Sequence, residues 1–393
     1  MIEHVLAEKR DLLTLPESMT VLAAYGVPVN EVMVATTPGE AGHLAARIGG
    51  RVAMKILSPD ITHKSDVGGV ALDLEGPSAT KEAAVAMLER VHTVQPAAHI
   101  TGFTIEPMVQ AKNAYELIIG ITEDAQFGPV ILFGQGGIAT EILADRAVAL
   151  PPLNMPLAQE LISRTRICAL LRGFRDRPAA SLDAIASTLL KVSQIAIDLP
   201  EIVELDINPL LAEPSGVLAL DARIRVQRPA RPGSARLAIR PYPRELEEVV
   251  QVGDRELLLR PVRPEDEPRF RDAFAKLSSD AIHLRFFGLI RELSHTMAAR
   301  LTQIDYEREM ALVLTERKPA GLADVFAVVR LLTDPDGARA EFAIVVRDDL
   351  AGKGLGRLLM RRIIDYASGR GIGEIFGDVL QANARMLDLA RHL

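Results

Sequence analysis

The stretch Lys55-Ile-Leu-Ser-Pro-Asp-Ile-Thr-His63-Lys64-Ser65-Asp66-Val-Gly68-Gly69 combines a lysine at the end of a short apolar run with a histidine and a glycine pair. A second stretch, Ala351-Gly352-Lys353-Gly354-Leu355-Gly356-Arg357, lies between a strand-like run and an amphipathic helical pattern. Lysine supplies positive charge, and glycine lets the backbone approach a phosphate closely. The first stretch therefore indicates ATP binding, and the second indicates binding of the pyrophosphate of coenzyme A.

The composition is that of an ordinary globular protein with two or three domains. Of 393 residues, 48% are hydrophobic and 25% are charged. The net charge of −7 has no basic run, which argues against a nucleic-acid partner, and the apolar stretches are too short to cross a membrane. Cys168 is the only cysteine, so a disulfide framework is excluded. Because the N-terminus has no signal-peptide pattern, we expect a cytoplasmic protein.

Four prolines between residues 228 and 243 prevent a continuous helix or a central strand. We predict a proline-rich linker over residues 227–243, between domains at residues 1–226 and 244–393. Alternating strand and helix patterns indicate an α/β fold on both sides. The predicted strands are residues 52–56, 70–74, 102–106, 116–121, 130–133, 202–207, 217–220, 256–262, 310–315, 324–331, 340–346 and 375–379. The predicted helices are residues 80–91, 155–171, 180–197, 265–277 and 294–304, one from residue 354, and 383–392.

Hard oxygen ligands for a metal occur late in the first domain. Asn208 and Asp221 would lie at the ends of two adjacent strands, and Mg²⁺ binds such oxygens while keeping water and phosphate ligands. Lys55 would project from a strand end, and Gly68 and Gly69 would let the backbone approach a phosphate. The alternative interpretation is a solvated lysine and an ordinary Asn-Pro turn.

Residues 12–226 resemble the ATP-grasp domain of the NDP-forming acyl-CoA synthetases, which are relatives of succinyl-CoA synthetase β chains. The matching stretches are residues 22–28, 55–69, 116–121, 127–141 and 204–210. The resemblance implies that Lys55 contacts the ATP phosphates and that Asn208 and Asp221 hold Mg²⁺. It adds, as residues along the nucleotide, Glu106, Pro107, Met108, Val109 and Glu116.

His63 is a catalytic candidate through the same resemblance. In the related ADP-forming acetyl-CoA synthetases, a histidine in a His-Lys-Ser-Asp context resembles the one that relays the phosphoryl group. An imidazole with a pKa near ~6.5 is substantially neutral and nucleophilic at neutral pH. The alternative is a loop histidine that is hydrogen-bonded to Asp66 and has no covalent role.

The glycine-rich turn of the second stretch leads into a helix. Converging backbone N–H groups and a helix N-terminus with roughly half a unit of positive charge suit a pyrophosphate. Lys353 and Arg357 would add positive charge. A glycine-rich turn alone is often only a strand–helix connection.

Residues 254–393 resemble the GNAT acetyltransferases, whose motif Gln/Arg-x-x-Gly-x-Gly/Ala matches at Gly354 and Gly356 but has Ala351 at its first position. The resemblance makes Glu341 the general base and places Asn383 near the pantetheine arm. It assigns to acetyl-CoA binding Val345, Val346, Gly352, Lys353, Gly354, Leu355, Gly356 and Arg357. GNAT folds normally continue beyond the last helix, so we expect an incomplete domain in a fragment of a longer protein.

An ATP-grasp domain followed by a GNAT domain resembles the C-terminal half of the Pat-type protein lysine acetyltransferases. The leading hypothesis is an enzyme that transfers acetyl from acetyl-CoA to a protein lysine and also binds ATP and Mg²⁺. A second hypothesis is a subunit of an ADP-forming acyl-CoA ligase that relays phosphate through His63. A third is a non-catalytic ATP-grasp module that senses nucleotide.

Overall fold

The computed structural model divides the chain into two compact units, Met1–Ala238 and Ile239–Leu393. It describes residues 1–61, 64–109, 113–137, 145–229, 233–288, 290–350 and 352–393. The division lies inside the segment 227–243 that the prolines predict to be a linker. Within the described ranges, no helix is long and apolar enough to span a bilayer.

Unit 1 contains two antiparallel sheets with helices packed on them. The first sheet has the strand order β1-β4-β2-β3, and the second has the order β10-β8-β5-β6-β7, with β9 also paired to β8. The elements are α1 (Ile2–Ala7), α2 (Leu15–Ala24), β1 (Met33–Ala35), α3 (Pro38–Ile48), β2 (Arg51–Leu57), β3 (Val70–Glu75), α4 (Gly76–Val94), β4 (Gly102–Pro107), β5 (Tyr115–Asp124), β6 (Gly128–Gln135), β7 (Arg146–Ala149), α5 (Met155–Ser163), α6 (Ile167–Leu171), α7 (Leu182–Asp198), β8 (Ile202–Glu213), β9 (Gly216–Ala219) and β10 (Ala222–Val226).

The first sheet buries one face against α3 and α4. Met54 and Ile56 of β2 pack there with Phe103 and Ile105 of β4. Because successive strand residues point to opposite faces, Lys55 and the even-numbered residues of β4 belong to the other face. This alternation places Lys55 and Glu106 on the same face of the sheet, where they form part of the first site.

The second sheet buries one face against α7. Ile119 of β5 and Ile207 of β8 lie in that core, together with Leu189 of the helix. The opposite face of β8 carries Asp206 and Asn208, which are two residues apart along the strand. Strand periodicity therefore places these two polar side chains on the same face of β8.

The prediction that Asn208 ends a strand is wrong, because β8 continues from Ile202 to Glu213. The pairing of β5 with β8 shifts register between Leu117 and Ile119, opposite Asn208 and Pro209. Proline has no N–H to donate, and such an irregularity is where a strand accommodates it. Lys55 likewise lies inside β2, which ends two residues later at Leu57.

The helix predicted over residues 155–171 is two helices, α5 and α6. Their break is stabilised by Asp145, whose carboxylate accepts hydrogen bonds from the backbone N–H groups of Arg166 at 2.8 Å and Ile167 at 2.7 Å. A carboxylate at the start of α6 satisfies N–H groups that have no partner inside the helix.

Unit 2 has one sheet of order β11-β12-β13-β14-β15-β16, antiparallel except for the β15–β16 pair. Helices α8 to α10 pack on one face and α11 on the other. The elements are β11 (Glu248–Val252), β12 (Arg255–Pro261), α8 (Glu267–Phe274), α9 (Ser279–Phe286), α10 (His295–Thr302), β13 (Glu309–Thr315), β14 (Val325–Thr333), β15 (Arg339–Val346), α11 (Leu355–Gly369), β16 (Glu374–Phe376) and α12 (Ala384–Arg391). The predicted α/β class is confirmed.

Strand β16 pairs with β15 along only three residues, Arg339, Ala340 and Glu341. Beyond Glu341, the described part of β15 continues to Val346 without a strand on that side. The sheet therefore opens between the two strands, and this opening positions the second site.

Candidate functional site

The first group of site residues surrounds the ammonium of Lys55. Its Nζ lies 3.1 Å from Oε2 of Glu106 and 3.6 Å from Oδ2 of Asp221. It also donates to the carbonyl of Leu220 at 3.5 Å. Lys55 and Glu106 belong to the first sheet, and Asp221 lies between β9 and β10 of the second. The lysine thus connects the two sheets of unit 1.

Glu106 is almost fully buried, with 2% of its surface exposed. Burial raises the pKa of its carboxyl group, while Lys55 and the hydroxyl of Thr104 act in the opposite direction. The Thr104 hydroxyl donates to Oε1 of Glu106 at 3.1 Å. The two carboxylate oxygens of Glu106 therefore have different partners, a cation on one and a hydroxyl on the other.

Asn208 and Asp221 lie side by side. The backbone N–H of Asn208 donates to the carbonyl of Asp221 at 3.2 Å. Among the described residues, no group of three or more His, Cys, Asp or Glu side chains could hold a metal. An amide oxygen and a carboxylate are hard donors that fit Mg²⁺, provided that water and phosphate supply the other ligands.

Gly136 and Gly137 bring the end of β6 against the same group. A Cβ on Gly136 would lie 2.5 Å from the backbone of Leu117, and one on Gly137 would lie 2.0 Å from Oε2 of Glu116. The N–H of Gly137 donates to Oδ1 of Asn208 at 3.0 Å. The structure thereby brings Glu116 near Asn208.

Gly68 and Gly69 close a turn. Their N–H groups donate to the carbonyls of Ser65 at 3.1 Å and Lys64 at 2.7 Å, and a Cβ on Gly69 would lie 2.5 Å from Cγ2 of Ile56. Both N–H groups are thus already used inside the loop. His63, like Ala351, lies outside the described residues.

Pro107, Met108 and Val109 follow Glu106 and are partly buried. The side-chain amide of Asn30 donates to the carbonyl of Pro107 at 3.1 Å. The N–H of Met108 donates to the carbonyl of Arg51 at 2.9 Å. Hydrogen bonds from Asn30 and to Arg51 therefore fix the segment that is predicted to lie along the nucleotide.

Asp206 and Thr104 were not predicted from the sequence. Burial, with smaller contributions from Glu204 and Asp221, raises the pKa of Asp206 to about 6. Asp206 is two residues from Asn208, a predicted metal ligand, so both side chains lie on one face of β8. This spacing is the signal that could have identified Asp206. The same spacing of two places Thr104 on the face of β4 that carries Glu106, although this spacing alone does not identify a hydrogen bond.

The second group of site residues lines a cavity of about 520 Å³ where β15 and β16 diverge. Of the predicted residues, the lining includes Glu341, Val345, Val346, Gly352, Gly354, Leu355, Gly356 and Asn383. Lys353 and Arg357 do not line it, and Arg357 instead donates to the carbonyl of His392 at 3.2 Å. Helix α9, which was not predicted, contributes Ala281, Leu284 and Arg285.

The turn before α11 is shaped by glycines. Gly352 has φ +79° and Gly354 has φ +78°, a left-handed conformation that favours glycine. A Cβ at either position would meet nothing within 4 Å. The first N–H groups of α11 have no intrahelical partner. Open space, free donors and the helix N-terminus together fit the pyrophosphate of coenzyme A.

Glu341 and Asn383 border the same cavity. The carboxylate of Glu341 is exposed, whereas Glu309, the first residue of β13, is ion-paired with Arg330. The side chain of Asn383 accepts a hydrogen bond from the N–H of Met386 at 3.1 Å and so begins α12. Glu341 is therefore the more available of the two carboxylates.

An ATP-grasp domain model matches residues 4–226, which is more than half of the chain. The chain belongs to the ATP-grasp domain family. The β subunit of ADP-forming acetate–CoA ligase I from Pyrococcus furiosus is 38% identical over 224 residues, 57% of this chain and 95% of the relative. The structure of the dinucleotide-forming acetyl-coenzyme A synthetase 1 of Ca. Korarchaeum cryptofilum, in complex with coenzyme A, Ca-AMPCP and HgCl⁺, is 33% identical. It has a TM-score of 0.55 and covers 57% of this chain and 97% of that chain.

A GNAT-family acetyltransferase model matches residues 282–393. An acetyltransferase of Pseudomonas aeruginosa is 35% identical over 135 residues, 34% of this chain and 72% of the relative. The predicted order, an ATP-grasp domain like that of acyl-CoA synthetase β subunits followed by a GNAT domain, is confirmed, and so is the prediction of an enzyme.

Gly377, directly after β16, provides a test of the cavity. A Cβ there would lie 2.7 Å from the ring of Phe342, a lining residue. Because the added methyl group would displace this ring in the cavity wall, Gly377→Ala should weaken acetyl-CoA binding about tenfold in calorimetry, which corresponds to about 1.4 kcal/mol. Gly369→Ala is the matched control, since its Cβ would meet nothing within 4 Å. Equal affinity in the two variants would contradict a role for this wall in binding.

Proposed function

We propose that this protein is an N-acetyltransferase that transfers the acetyl group of acetyl-CoA to a lysine side chain of a protein, in the manner of the Pat-type enzymes. The observation that supports this most is the opening between β15 and β16. It is bordered by the glycine turn near one end of β15 and by Glu341 near the other. Five strand steps from Glu341 to Val346 span roughly 17 Å, so an extended donor could be held between the two.

Glu341 would act as the general base. A lysine with a pKa near ~10.4 is only about one part in a thousand neutral at about pH 7.4. As the amine attacks the thioester carbonyl, a C–N bond forms, the C–S bond breaks, and the amine proton passes to Glu341 directly or through a water. Coenzyme A leaves as a thiolate and takes up a proton. General-base help of this kind contributes about 10²–10⁴-fold in rate.

Glu341→Gln should lower kcat for lysine acetylation about a hundredfold or more, because an amide cannot accept the proton. The acetyl-CoA affinity should stay within about twofold, since the pyrophosphate turn is untouched. Steady-state kinetics on a lysine peptide, with calorimetry for acetyl-CoA, measures both. Glu292→Gln, at an exposed site, is the control. An unchanged kcat in Glu341→Gln together with a loss in Glu309→Gln would move the base to Glu309.

For unit 1 we propose binding of Mg·ATP. Lys55 would contact the phosphates, Asn208 and Asp221 would hold the metal, and Glu106 to Val109 with Glu116 would lie along the nucleotide. The ion supplies charge neutralisation for the triphosphate. This proposal is supported by the contact between Lys55 and Asp221, because the residue proposed to bind the phosphates lies beside a residue proposed to hold the metal.

Asp221→Ala should abolish the Mg²⁺-dependent part of ATP binding, because the only carboxylate of the proposed metal pair is lost. Calorimetric titration with and without Mg²⁺ separates this part from the contribution of Lys55. Asp176→Ala, an exposed aspartate of the same unit, should leave both titrations unchanged. If Asp221→Ala retained the Mg²⁺-dependent affinity, the metal would have to be held elsewhere.

A second candidate function is that of an ADP-forming acyl-CoA ligase subunit. The match over 95% of the Pyrococcus furiosus β subunit supports it. In this function, a ring nitrogen of His63 attacks the γ-phosphorus of ATP, the bond to the bridging oxygen breaks, ADP leaves, and the histidine loses its ring proton. A module that only senses nucleotide would bind ATP without this step.

Incubation with γ-³²P-labelled ATP distinguishes these possibilities. The ligase function predicts a protein label that is acid-labile and base-stable, as expected for phosphohistidine, and that is absent in His63→Asn. A label that persists in the variant would place the phosphoryl group on another residue. Binding of ATP without any label would favour the sensing module.

A further inference from the structure

A small apolar cavity of about 70 Å³ lies in unit 2 between helices α8 to α10 and the strands β14 and β15. Three arginines contribute to its lining, and two of them have carboxylate partners. Arg330 is ion-paired with Glu309, and Arg347 with Asp349. The third, Arg285, has neither a hydrogen-bond acceptor nor a carboxylate within ion-pair distance among the described residues.

Arg285 is partly buried, and its guanidinium lies 4.9 Å from the ring centre of Phe286. Burial lowers its pKa, and the nearby charge of Arg330 acts in the same direction, while Glu341 opposes both. The group still remains a cation, because an arginine side chain stays protonated at neutral pH even when its pKa is lowered. Removing a cation partly from water without giving it a hydrogen-bond acceptor costs free energy. Binding an anion would reduce this cost.

The position of Arg285 separates this anion from the phosphates of coenzyme A. Arg285 lines both the small cavity and the larger cavity that contains Glu341. Its charged neighbours are Glu341 and Arg330, and Arg330 lies opposite Ala343 in the sheet. Glu341 is the third of the eight residues of β15 and Ala343 is the fifth, whereas the glycine turn follows the last residue of the strand. The anion therefore belongs to the side where the acceptor amine would meet Glu341.

We propose that Arg285 binds a carboxylate of the acetyl acceptor, next to the amine that is acetylated. This proposal rests on acetyl transfer as the function of unit 2. A guanidinium and a carboxylate can form two parallel hydrogen bonds, which fix orientation as well as affinity. The carboxylate can be an acidic side chain that flanks a target lysine or the α-carboxylate of a free amino acid. Acceptors with basic neighbours are disfavoured, because the guanidinium of Arg285 repels them.

The test compares two matched acceptor pairs with the full chain and acetyl-CoA. One pair is an end-blocked peptide with lysine flanked by Glu or by Gln, and the other is free lysine and lysinamide. We expect kcat/KM to favour the carboxylate-bearing member at least tenfold in one pair, and that pair identifies the source. Arg285→Gln should remove the preference, Arg285→Lys should retain part of it, and Arg285→Glu should favour peptides with flanking lysines.

Arg300→Gln, an exposed arginine of α10, is the control and should keep the parent preference. Calorimetry with acetyl-CoA checks that each variant is folded. The proposal is overturned if the parent shows no preference in either pair, or if Arg285→Gln keeps it. It is also overturned if the variant only raises the KM for acetyl-CoA equally with all acceptors, since Arg285 would then serve the donor. Absence of transfer from the parent to every acceptor would instead contradict acetyl transfer itself.

Discussion

The ion pair between Lys55 and the buried Glu106 is the constraint on which unit 1 depends. A carboxylate with 2% of its surface exposed is costly unless a cation and hydrogen bonds compensate it. Lys55 provides that cation, and Thr104 provides a hydrogen bond at 3.1 Å. Because Lys55 also reaches Asp221, the same cation holds the second sheet against the first. A triphosphate bound here would meet a lysine that Glu106 and Asp221 already orient. The ion pair that stabilises unit 1 would thus also preorganise the site.

The second site, in unit 2, depends on the incomplete pairing of strands β15 and β16. Strand β16 stops pairing after Glu341, and among the described residues no other strand pairs with the rest of β15 on that side. Unpaired N–H and C=O groups at such an opening need partners, and an extended amide-containing chain can provide them. The glycine turn then supplies donors for an anion beyond the end of the strand. The geometry of the opening therefore matches a donor with an amide arm and a phosphate end.

The sequence predicted the parts of the fold that local pattern determines. Strands β2 and β15 were predicted from short apolar runs, and helix α11 was predicted from apolar residues at helical spacing. Strand β8 was predicted too short, since proline is typical of a strand end and the register shift in β5 cannot be read from the sequence. The break between α5 and α6 depends on Asp145, which is distant in sequence. In the sites, motif residues could be named, whereas the contact of Lys55 with Asp221 and the position of Arg285 beside two cavities depend on packing between elements.

The charges around Glu341 also constrain how an acceptor can be held. Arg330 is ion-paired with Glu309, whereas the carboxylate of Glu341 and the guanidinium of Arg285 have no ion-pair partner among the described residues. An acceptor with an amine and a carboxylate close together can match both at once, with its amine toward Glu341 and its carboxylate toward Arg285. Holding both ends of the acceptor fixes the direction of the amine. Such orientation contributes a large part of the rate enhancement that comes from binding reactants together. One arginine would then serve both to select the acceptor and to align it with the base.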